Sequence, residues 1–382
     1  MRNLHPSLKN KIQHFIETEK STPRFLFSEE TLIFNYKYLK QIFNFLDSDI
    51  YYSVKTNNFP NILERLYACG AGFEIASVGE LKMLENLKIN PDKIICSNPV
   101  KIPEHLAAMH KYGVKTFAFD SISELEKINK YEPHSNVFLR LAISNAGASW
   151  ELTKKFGASL NDVLVLAKHA KKLNLDFCGL AIHVGWNNQN ADTWFQTIKQ
   201  VTEVIDELSR NDFQLEFLNL GGGFPAHNVD QYKTLEIIWN KISELINQVR
   251  NHYNMRVICE PGSFLVANAG VLMLRIYDII ERQNTKWIFV DSGICQGFYW
   301  ILSGLQYPII YPYKISTETK LETFTITGPT MDSHDIFAEN IMLPQKISIG
   351  DYLFVAPGGA YTNSAINYNG FSYPELEYQK MV

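Results

Sequence analysis

Short apolar runs alternate with helix-like segments over the first two thirds of the chain. The runs are rich in β-branched and aromatic residues and are bounded by Gly, Asn or Pro, which is typical of strands. Eight of them precede residue 265: IYYSVK (50–55), GFEIAS (72–77), KIICSN (93–98), TFAFD (116–120), VFLRLAIS (137–144), CGLAIHV (178–184), FLNLGGG (217–223) and MRVICEPG (255–262). Helical spacing is found in SEETLIFNYKYLKQIF (28–43), VGELKMLENLK (78–88), SLNDVLVLAKHAKKL (159–173) and TLEIIWNKISELINQVR (234–250). The alternation predicts a parallel sheet covered by helices.

The number of strands favours a closed, TIM-like (β/α)8 barrel over residues 28–265. A doubly wound open sheet is the alternative, but no GxGxxG follows the first predicted strand. Polar or small residues stand at the carboxyl ends of the runs: Lys55, Glu74, Asn98, Asp120, Arg140, His183, glycines 221–223 and Glu260. In a barrel these ends converge on one face, where active sites are built.

After about residue 265 the pattern changes to short β-like runs with turn residues between them. Examples are VLMLRIYDII, TKWIFVDSG, ETFTITGP and DYLFVAPG. We therefore predict a separate all-β domain over residues 266–382, built as a β-barrel or sandwich.

The amino-acid composition says more about the class of protein, its partners and its compartment than about its reaction. With 46% hydrophobic and 20% charged residues, the 382-residue chain can bury a sizeable core as an ordinary globular protein. A net charge of −4 gives no electrostatic reason to expect nucleic acid or an anionic membrane as partner. The five cysteines are far apart without a CxxC pair, which predicts reduced thiols in a cytoplasm and no metal site. The N-terminus lacks the apolar region of a signal peptide, and no run is long enough to span a bilayer.

Three residues at predicted strand ends can be interpreted either as surface or structural residues or as residues that bind a cofactor. Lys55 would ordinarily be a surface lysine, but a partly desolvated amine at a barrel mouth can form a Schiff base. Glu260 would ordinarily be a surface carboxylate, but there it can pair with a protonated ring nitrogen of a cofactor. His183, in an apolar run, is more often structural, although its register favours a ligand-facing position.

Two turn-like segments suggest an anion site. NLGGGFP (219–225) is either a flexible turn or a phosphate cradle, because glycine lets backbone N–H groups approach an anion closely. Tyr361 in GGAYTNS is either an ordinary turn tyrosine or a hydroxyl that binds phosphate.

Seven motifs in one order give these residues a common context: VKTN, GFEIAS, AIHVGW, LGGGFP, CEPG, GPTMDSHD and GGAYT. Together they resemble the ornithine/lysine/diaminopimelate/arginine decarboxylases, pyridoxal-phosphate enzymes of the alanine-racemase type (fold type III). The similarity is greatest to eukaryotic-type ornithine decarboxylases and covers roughly residues 22–370.

The resemblance implies a barrel that binds pyridoxal 5'-phosphate and a β-domain on which an N-terminal segment, residues 1–27, packs. It also implies a homodimer with shared active sites and a small amino-acid substrate. By motif, Lys55 matches the lysine that bonds to the cofactor, His183 the histidine stacked on its ring, and Glu260 the acid paired with the ring nitrogen. Further cofactor-binding positions are Gly221, Gly222, Gly223, Gly262, Ser263 and Tyr361 around the phosphate, Glu74 where the family usually has Asp, and Arg140 near the ring.

The chain departs from the family at residues that contact substrate and cofactor. In GPTMDSHD, a loop that the family supplies from the partner subunit, Met331 replaces the cysteine expected to donate a proton, and a thioether has no proton to give. Asp332 is retained, and it resembles the acid of enzymes whose substrates end in a cationic amine. Ser303 and Gly304 align with a Tyr-Asp pair that binds the distal amine of ornithine. Ser263 replaces the phosphate-binding arginine, and Trp186 replaces a small residue.

Three functions are consistent with this pattern. The first is a pyridoxal-phosphate-dependent decarboxylase of a basic or extended amino acid, whose amine product enters polyamine or specialised-metabolite synthesis. The second keeps the cofactor but ends in decarboxylation-dependent transamination or oxidation, because Met331 replaces the usual cysteine. The third is a non-catalytic homologue resembling the antizyme inhibitors.

Overall fold

The computed structural model describes residues 6–18, 21–149, 155–227, 230–311, 318–363 and 373–381. The chain divides into two compact units, Tyr36–Phe264 and a second unit that combines Met1–Asn35 with Leu265–Val382. The predicted domain limits lie at 27/28 and 265/266. The N-terminal limit falls later in the structure, inside the helix Glu29–Phe43, because a continuous helical pattern does not reveal which turn belongs to which unit.

Three elements precede the barrel strands: α1 (Pro6–Glu17), β1 (Arg24–Ser28) and α2 (Glu29–Phe43). The start of α2 is stabilised by the Ser28 hydroxyl, which accepts the Thr31 N–H at 3.3 Å, and by Glu29 and Glu30 in its first turn. The helix predicted over residues 28–43 is thereby confirmed.

Eight parallel strands in sequential order form the sheet of the first unit. They are β2 (Tyr51–Ser53), β3 (Gly72–Ile75), β4 (Ile94–Cys96), β5 (Thr116–Phe119), β6 (Asn136–Arg140), β7 (Asp176–Ala181), β8 (Phe217–Asn219) and β9 (Arg256–Ile258). Each overlaps one of the eight predicted runs, so the strand prediction is confirmed.

The sheet closes on itself between its first and last strands. Ile50 and Cys259 form a parallel bridge, the Tyr51 N–H donates to the Cys259 carbonyl at 2.9 Å, and the Cys259 N–H donates to the Asp49 carbonyl at 2.9 Å. An open doubly wound sheet has no such seam. The closed barrel is therefore confirmed, and the alternative is excluded.

Helices follow the barrel strands and cover the barrel: α3 (Pro60–Ala68), α4 (Val78–Asn86), α5 (Pro103–Tyr112), α6 (Ile122–Tyr131), α7 (Val163–Lys172), α8 (Ala191–Arg210), α9 (Gln231–His252) and the short α10 (Ser263–Val266). Side-chain caps begin several of them, for example Ser77, whose hydroxyl accepts the Glu80 N–H at 3.3 Å. The barrel interior is a packed core that includes Ile95, Ala118, Phe138, Cys178, Ala181, Phe217 and Ile258.

The second unit is a mixed β-sheet with an N-terminal helix packed on it. Its later strands are β10 (Gly270–Arg282), β11 (Thr285–Val290), β12 (Ile309–Ile310), β13 (Leu321–Thr327), β14 (Ile336–Pro344), β15 (Tyr352–Val355) and β16 (Glu375–Gln379). The strand β1 pairs antiparallel with β10 and parallel with β16. Phe15 of α1 packs with Leu26, Val271 and Phe354. The predicted all-β texture is confirmed, and none of the helices in the described ranges is long and apolar enough to cross a membrane.

The barrel seam gives a test of stability. One carboxylate oxygen of Asp49, which is 5% exposed, accepts from Arg256 Nη2 at 2.7 Å and Nε at 3.1 Å, and the other accepts the Leu46 N–H at 2.7 Å. We expect Asp49→Asn to lower the free energy of unfolding by about 1–2 kcal/mol, because hydrogen bonds to a charged group are lost. Urea denaturation measures this change. The matched variant Asp92→Asn, at an exposed site, should change it by less than about 0.5 kcal/mol; equal effects would show that the seam ion pair adds nothing.

Candidate active site

Lys55 reaches the carboxyl end of the barrel on a single turn of 3-10 helix, Val54–Thr56, that follows β2. Its Nζ donates to Oε2 of Glu74, on the adjacent strand β3, at 2.5 Å. The Glu74 side chain is 2% exposed, whereas that of Lys55 is 46% exposed. A buried carboxylate therefore orients an amine that a small molecule can still reach.

Glu260 follows β9 and is 7% exposed. Its Oε1 accepts hydrogen bonds from the Ser97 hydroxyl and from Asn219 Nδ2. The Asn219 amide is oriented by the Gly221 N–H, which donates to Asn219 Oδ1 at 2.8 Å. Burial and the nearby Glu74 carboxylate raise the pKa of Glu260, while the two hydrogen bonds and the Lys55 charge oppose that rise. Glu260 is thus a buried acid held in one orientation.

Arg140 and His183 are two further titratable residues of the barrel mouth. Burial lowers the pKa of Arg140, while the carboxylates of Glu260, Glu74 and Asp120 oppose this. Burial and the positive charges of Arg140 and Lys55 hold the pKa of His183 well below its usual value, so its ring is neutral at pH 7. Its Nδ1 accepts the Gly185 N–H at 3.1 Å, which places the ring proton on Nε2.

The glycine run 221–223 lies against the residues around His183. Gly223 has φ +87°, and a Cβ there would lie 2.2 Å from the Gly185 carbonyl oxygen, so no other residue fits. A Cβ at Gly222 would lie 3.0 Å from the Glu260 carbonyl oxygen and 3.3 Å from His183 Nε2. The run therefore forms a cradle next to Glu260 and His183. A side chain at Gly222 would fill this cradle.

Gly262 and Ser263 complete this side of the barrel mouth. A Cβ at Gly262 would lie 2.1 Å from Thr56 Oγ1, and the buried Ser263 hydroxyl accepts the Trp186 indole N–H at 3.2 Å. The structure thus brings together Lys55, Glu74, Arg140, His183, Gly221, Gly222, Gly223, Glu260, Gly262 and Ser263 at the carboxyl end of one barrel. Among the described residues, no group of three His, Cys, Asp or Glu side chains is arranged to hold a metal ion.

The other predicted site residues lie in the β unit. Tyr361 has a left-handed backbone (φ 57°) and packs edge-on against Trp300, with ring centroids 6.3 Å apart. Ser303 and Gly304 are exposed at the end of the 3-10 turn Tyr299–Ser303.

The loop between β13 and β14 carries Met331, which is 96% exposed, and Asp332. Asp332 Oδ1 accepts the His334 N–H at 2.9 Å and lies 3.0 Å from His334 Nδ1; these bonds lower the pKa of Asp332. The buried Asp335 anchors the loop by accepting both the N–H and the hydroxyl of Thr330. The loop thus has one defined conformation, with the Met331 and Asp332 side chains exposed.

Sequence reasoning missed Ser97 and Asn219, the donors to Glu260. Both stand at the carboxyl ends of barrel strands, one residue after β4 and at the last residue of β8. That position is the signal that could have identified them. Asn98, the strand-end residue named in the sequence, donates instead from its amide to the Ala76 carbonyl at 3.3 Å.

A buried histidine beside the site predicts how the free energy of unfolding depends on pH. His227 is fully buried against Trp186, with ring centroids 4.9 Å apart, and burial lowers its pKa to about 4. Between pH 6.5 and about 4 the unfolded chain binds a proton at this residue that the folded chain does not. We therefore expect the free energy of unfolding of the wild type, relative to His227→Gln, to fall by about 1 kcal/mol for each pH unit in this window and to be constant above it.

Urea denaturation at several pH values measures the difference. The exposed His252→Gln variant is the control and should follow the wild type throughout. A difference between wild type and His227→Gln that does not vary with pH would contradict a neutral, buried His227.

Comparison with known proteins agrees with this geometry. Residues 31–267 match the family described as pyridoxal-dependent decarboxylase, pyridoxal binding domain. The lysine/ornithine decarboxylase of Selenomonas ruminantium is 30% identical over 92% of this chain and 88% of its own. Antizyme inhibitor 2 of Xenopus laevis is 30% identical over 86% of this chain and 75% of its own. The structure of a lysine/ornithine decarboxylase from Vibrio vulnificus, complexed with putrescine, superposes with a TM-score of 0.87 at 27% identity, covering 98% of this chain and 99% of that one. The chain therefore belongs to the ornithine/lysine/arginine decarboxylase family of pyridoxal-phosphate proteins.

Proposed function

We propose that this protein is a pyridoxal-phosphate-dependent decarboxylase of a basic or extended amino acid of the ornithine, lysine or diaminopimelate type. The observation that carries the proposal is the pairing, in one barrel mouth, of an accessible lysine amine on a buried Glu74 with a second buried acid, Glu260. A protein retained only as a scaffold has no need for either arrangement.

The donor set fits the cofactor chemically. The Lys55 amine suits an aldehyde, the oriented Glu260 carboxylate suits a basic ring nitrogen, and the cradle at Gly222 suits a phosphate because backbone N–H groups can approach it. When bound, pyridoxal phosphate withdraws electrons from the substrate α-carbon, so that its bond to the carboxylate can break.

The residues of the chain then have distinct tasks. Glu260 holds a proton at the ring nitrogen, and its two hydrogen-bond donors keep that carboxylate oriented. The neutral His183 ring would stack on the cofactor ring without adding a charge that opposes its protonation. The Arg140 guanidinium, near Glu260 and Glu74, balances the negative charge that two buried carboxylates create.

We further propose that the enzyme is a homodimer in which the loop 328–335 of one subunit serves the active site of the other. The exposed acid Asp332 would bind the distal ammonium of the substrate, since an oppositely charged pair forms a charge-assisted hydrogen bond. Without a second acid at Ser303 or Gly304, the substrate is expected to differ from plain ornithine in chirality, length or distal group. The phosphate-binding role of Tyr361 is part of the same proposal.

A second outcome of the reaction is favoured by Met331. Because a thioether has no proton to donate, the α-carbon that has lost its carboxylate would be protonated elsewhere or oxidised. Amine and CO₂ in equal amounts would indicate simple decarboxylation, whereas aldehyde or pyridoxamine phosphate would indicate the second outcome. The same measurement decides which product forms. In the first case it is an amine for polyamine or specialised-metabolite synthesis.

A non-catalytic role, of the kind that the similarity to antizyme inhibitor 2 suggests, is supported by the loss of the cysteine and by Ser263. It predicts that no amino acid is turned over. A screen of L- and D-ornithine, lysine, arginine, diaminopimelate and carboxylated polyamines for CO₂ release distinguishes it from the enzyme.

The covalent role of Lys55 is testable apart from turnover. We expect wild-type protein incubated with pyridoxal phosphate and reduced with borohydride to gain the mass of one phosphopyridoxyl group on Lys55. The Lys55→Ala variant should gain none, and the exposed-site variant Lys82→Ala should label like the wild type. Peptide mass spectrometry reads the result, and labelling spread evenly over surface lysines would contradict the assignment.

The loop is tested by Met331→Cys. Because the Met331 side chain is almost wholly exposed, we expect the free energy of unfolding to change by less than about 0.5 kcal/mol. The rate or the ratio of amine to aldehyde should change by roughly tenfold or more, since a positioned general acid typically contributes at least that factor. The control is Met342→Cys, an exposed methionine on β14; identical kinetics and products in both variants would place the loop away from the reaction.

A further inference from the structure

We propose that Trp186 and Ser263 act together as an uncharged replacement for a phosphate-binding cation, with Ser263 donating to the cofactor phosphate and Trp186 orienting it. This inference rests on the proposed function, because it assumes that the barrel mouth binds pyridoxal phosphate. It assigns Trp186 a role as a positioning residue, and it explains why a small residue and an arginine are both exchanged in this chain.

The contact between the two side chains sets the direction of the hydroxyl. The Trp186 indole can only donate, and its Nε1–H lies 3.2 Å from Ser263 Oγ. A hydroxyl that accepts one hydrogen bond keeps its own hydrogen for another acceptor, and the donated bond polarises it. Ser263 is 7% exposed, so this hydrogen is directed within a nearly closed part of the barrel mouth.

The segment that follows Trp186 is fastened to the glycine run and to the residues after it. The Asn188 N–H donates to the Gly223 carbonyl at 2.8 Å, and Asn187 Oδ1 accepts the Ala226 N–H at 2.9 Å. On the other side the Trp186 ring packs against the buried His227. The indole is therefore held next to the segment that forms the cradle, rather than free to leave it.

A second buried hydroxyl lies beside the same pair. Thr56 is fully buried, and among the described residues its Oγ1 has no hydrogen-bond partner. It lies against Gly262, the residue before Ser263, since a Cβ at Gly262 would lie 2.1 Å from it. A buried hydroxyl without a partner is costly in a folded protein. Its presence here points to an acceptor supplied by a ligand.

The cations of the barrel mouth already lie next to carboxylates. Lys55 is paired with Glu74, and Arg140 lies near Glu260, Glu74 and Asp120. A phosphate bound by backbone N–H groups and by the Ser263 hydroxyl, which Trp186 orients, needs no further cation in the barrel mouth. Neutral donors bind an anion through directed hydrogen bonds, so the geometry of the pair decides its affinity.

The test compares binding of pyridoxamine 5'-phosphate with that of pyridoxamine by calorimetry, using the full chain. Neither compound has an aldehyde, so neither Lys55 chemistry nor turnover enters the measurement. We expect Ser263→Ala to weaken binding of the phosphate compound roughly tenfold or more, because a hydrogen bond to a charged group is lost. Pyridoxamine, which lacks the phosphate, should bind each variant as it binds the wild type.

Trp186→Phe keeps the ring but removes the N–H, and we expect it to weaken binding of the phosphate compound about three- to tenfold. If Trp186 acts only through Ser263, the double variant should match Ser263→Ala within about twofold. The control is Trp239→Phe, at a tryptophan of α9 that packs against Phe43 with ring centroids 4.9 Å apart. It should change the affinities for the two compounds by the same factor.

Two results would overturn the inference in different ways. If the wild type binds the phosphate compound but Ser263→Ala or Trp186→Phe leaves the ratio of the two affinities unchanged, the pair has no role at the phosphate and the proposed function stands. If the wild type binds neither pyridoxal phosphate nor pyridoxamine 5'-phosphate, the proposed function itself fails.

Discussion

Closure of the barrel between β2 and β9 is the constraint on which the site depends. Residues 50 and 259 are bridged by backbone hydrogen bonds, and the Asp49–Arg256 ion pair lies at the same seam. Because all eight strands are parallel and in sequential order, closure brings their carboxyl ends to one ring. Residues far apart in the chain thereby come within hydrogen-bond distance: the Ser53 hydroxyl donates to the backbone carbonyl of Glu260, 207 residues away, at 3.1 Å.

Within that ring of strand ends, buried negative charges and nearby positive charges offset one another. Two carboxylates, Glu74 and Glu260, are almost fully buried, and unpaired buried charges are strongly unfavourable. Lys55 and Arg140 offset them, and burial together with the same positive charges holds the pKa of His183 low, so that its imidazole is neutral. A substitution at one of these positions therefore changes the charge balance around the others.

The departures of this chain from its family fall at places where charge or a proton would otherwise be supplied. Met331 offers no proton, and Ser263 offers no positive charge. At the second of these positions, the proposed Trp186–Ser263 pair would supply a directed neutral hydrogen bond instead. In the β unit the Asp332–His334 pair adjoins Met331, and the Cys295 thiol lies near Thr330 and Asp332 of the same loop. Membership of a decarboxylase family therefore leaves the substrate and the fate of the α-carbon to be measured.

The sequence by itself determined the eight strands, the barrel and the β-rich second unit, because period and strand-end chemistry are local properties of the chain. Lys55, His183 and Glu260 were also identifiable, since each stands at the end of a strand within a motif. The strand-end positions of Ser97 and Asn219 mark them as site residues, but their bonds to Glu260, like the contact between Trp186 and Ser263, were not identifiable. Their partners lie 163, 41 and 77 residues away in the chain, and no local pattern encodes such a distance. Only tertiary structure decided these contacts, because barrel closure sets which strand ends meet and side-chain packing sets which atoms bond.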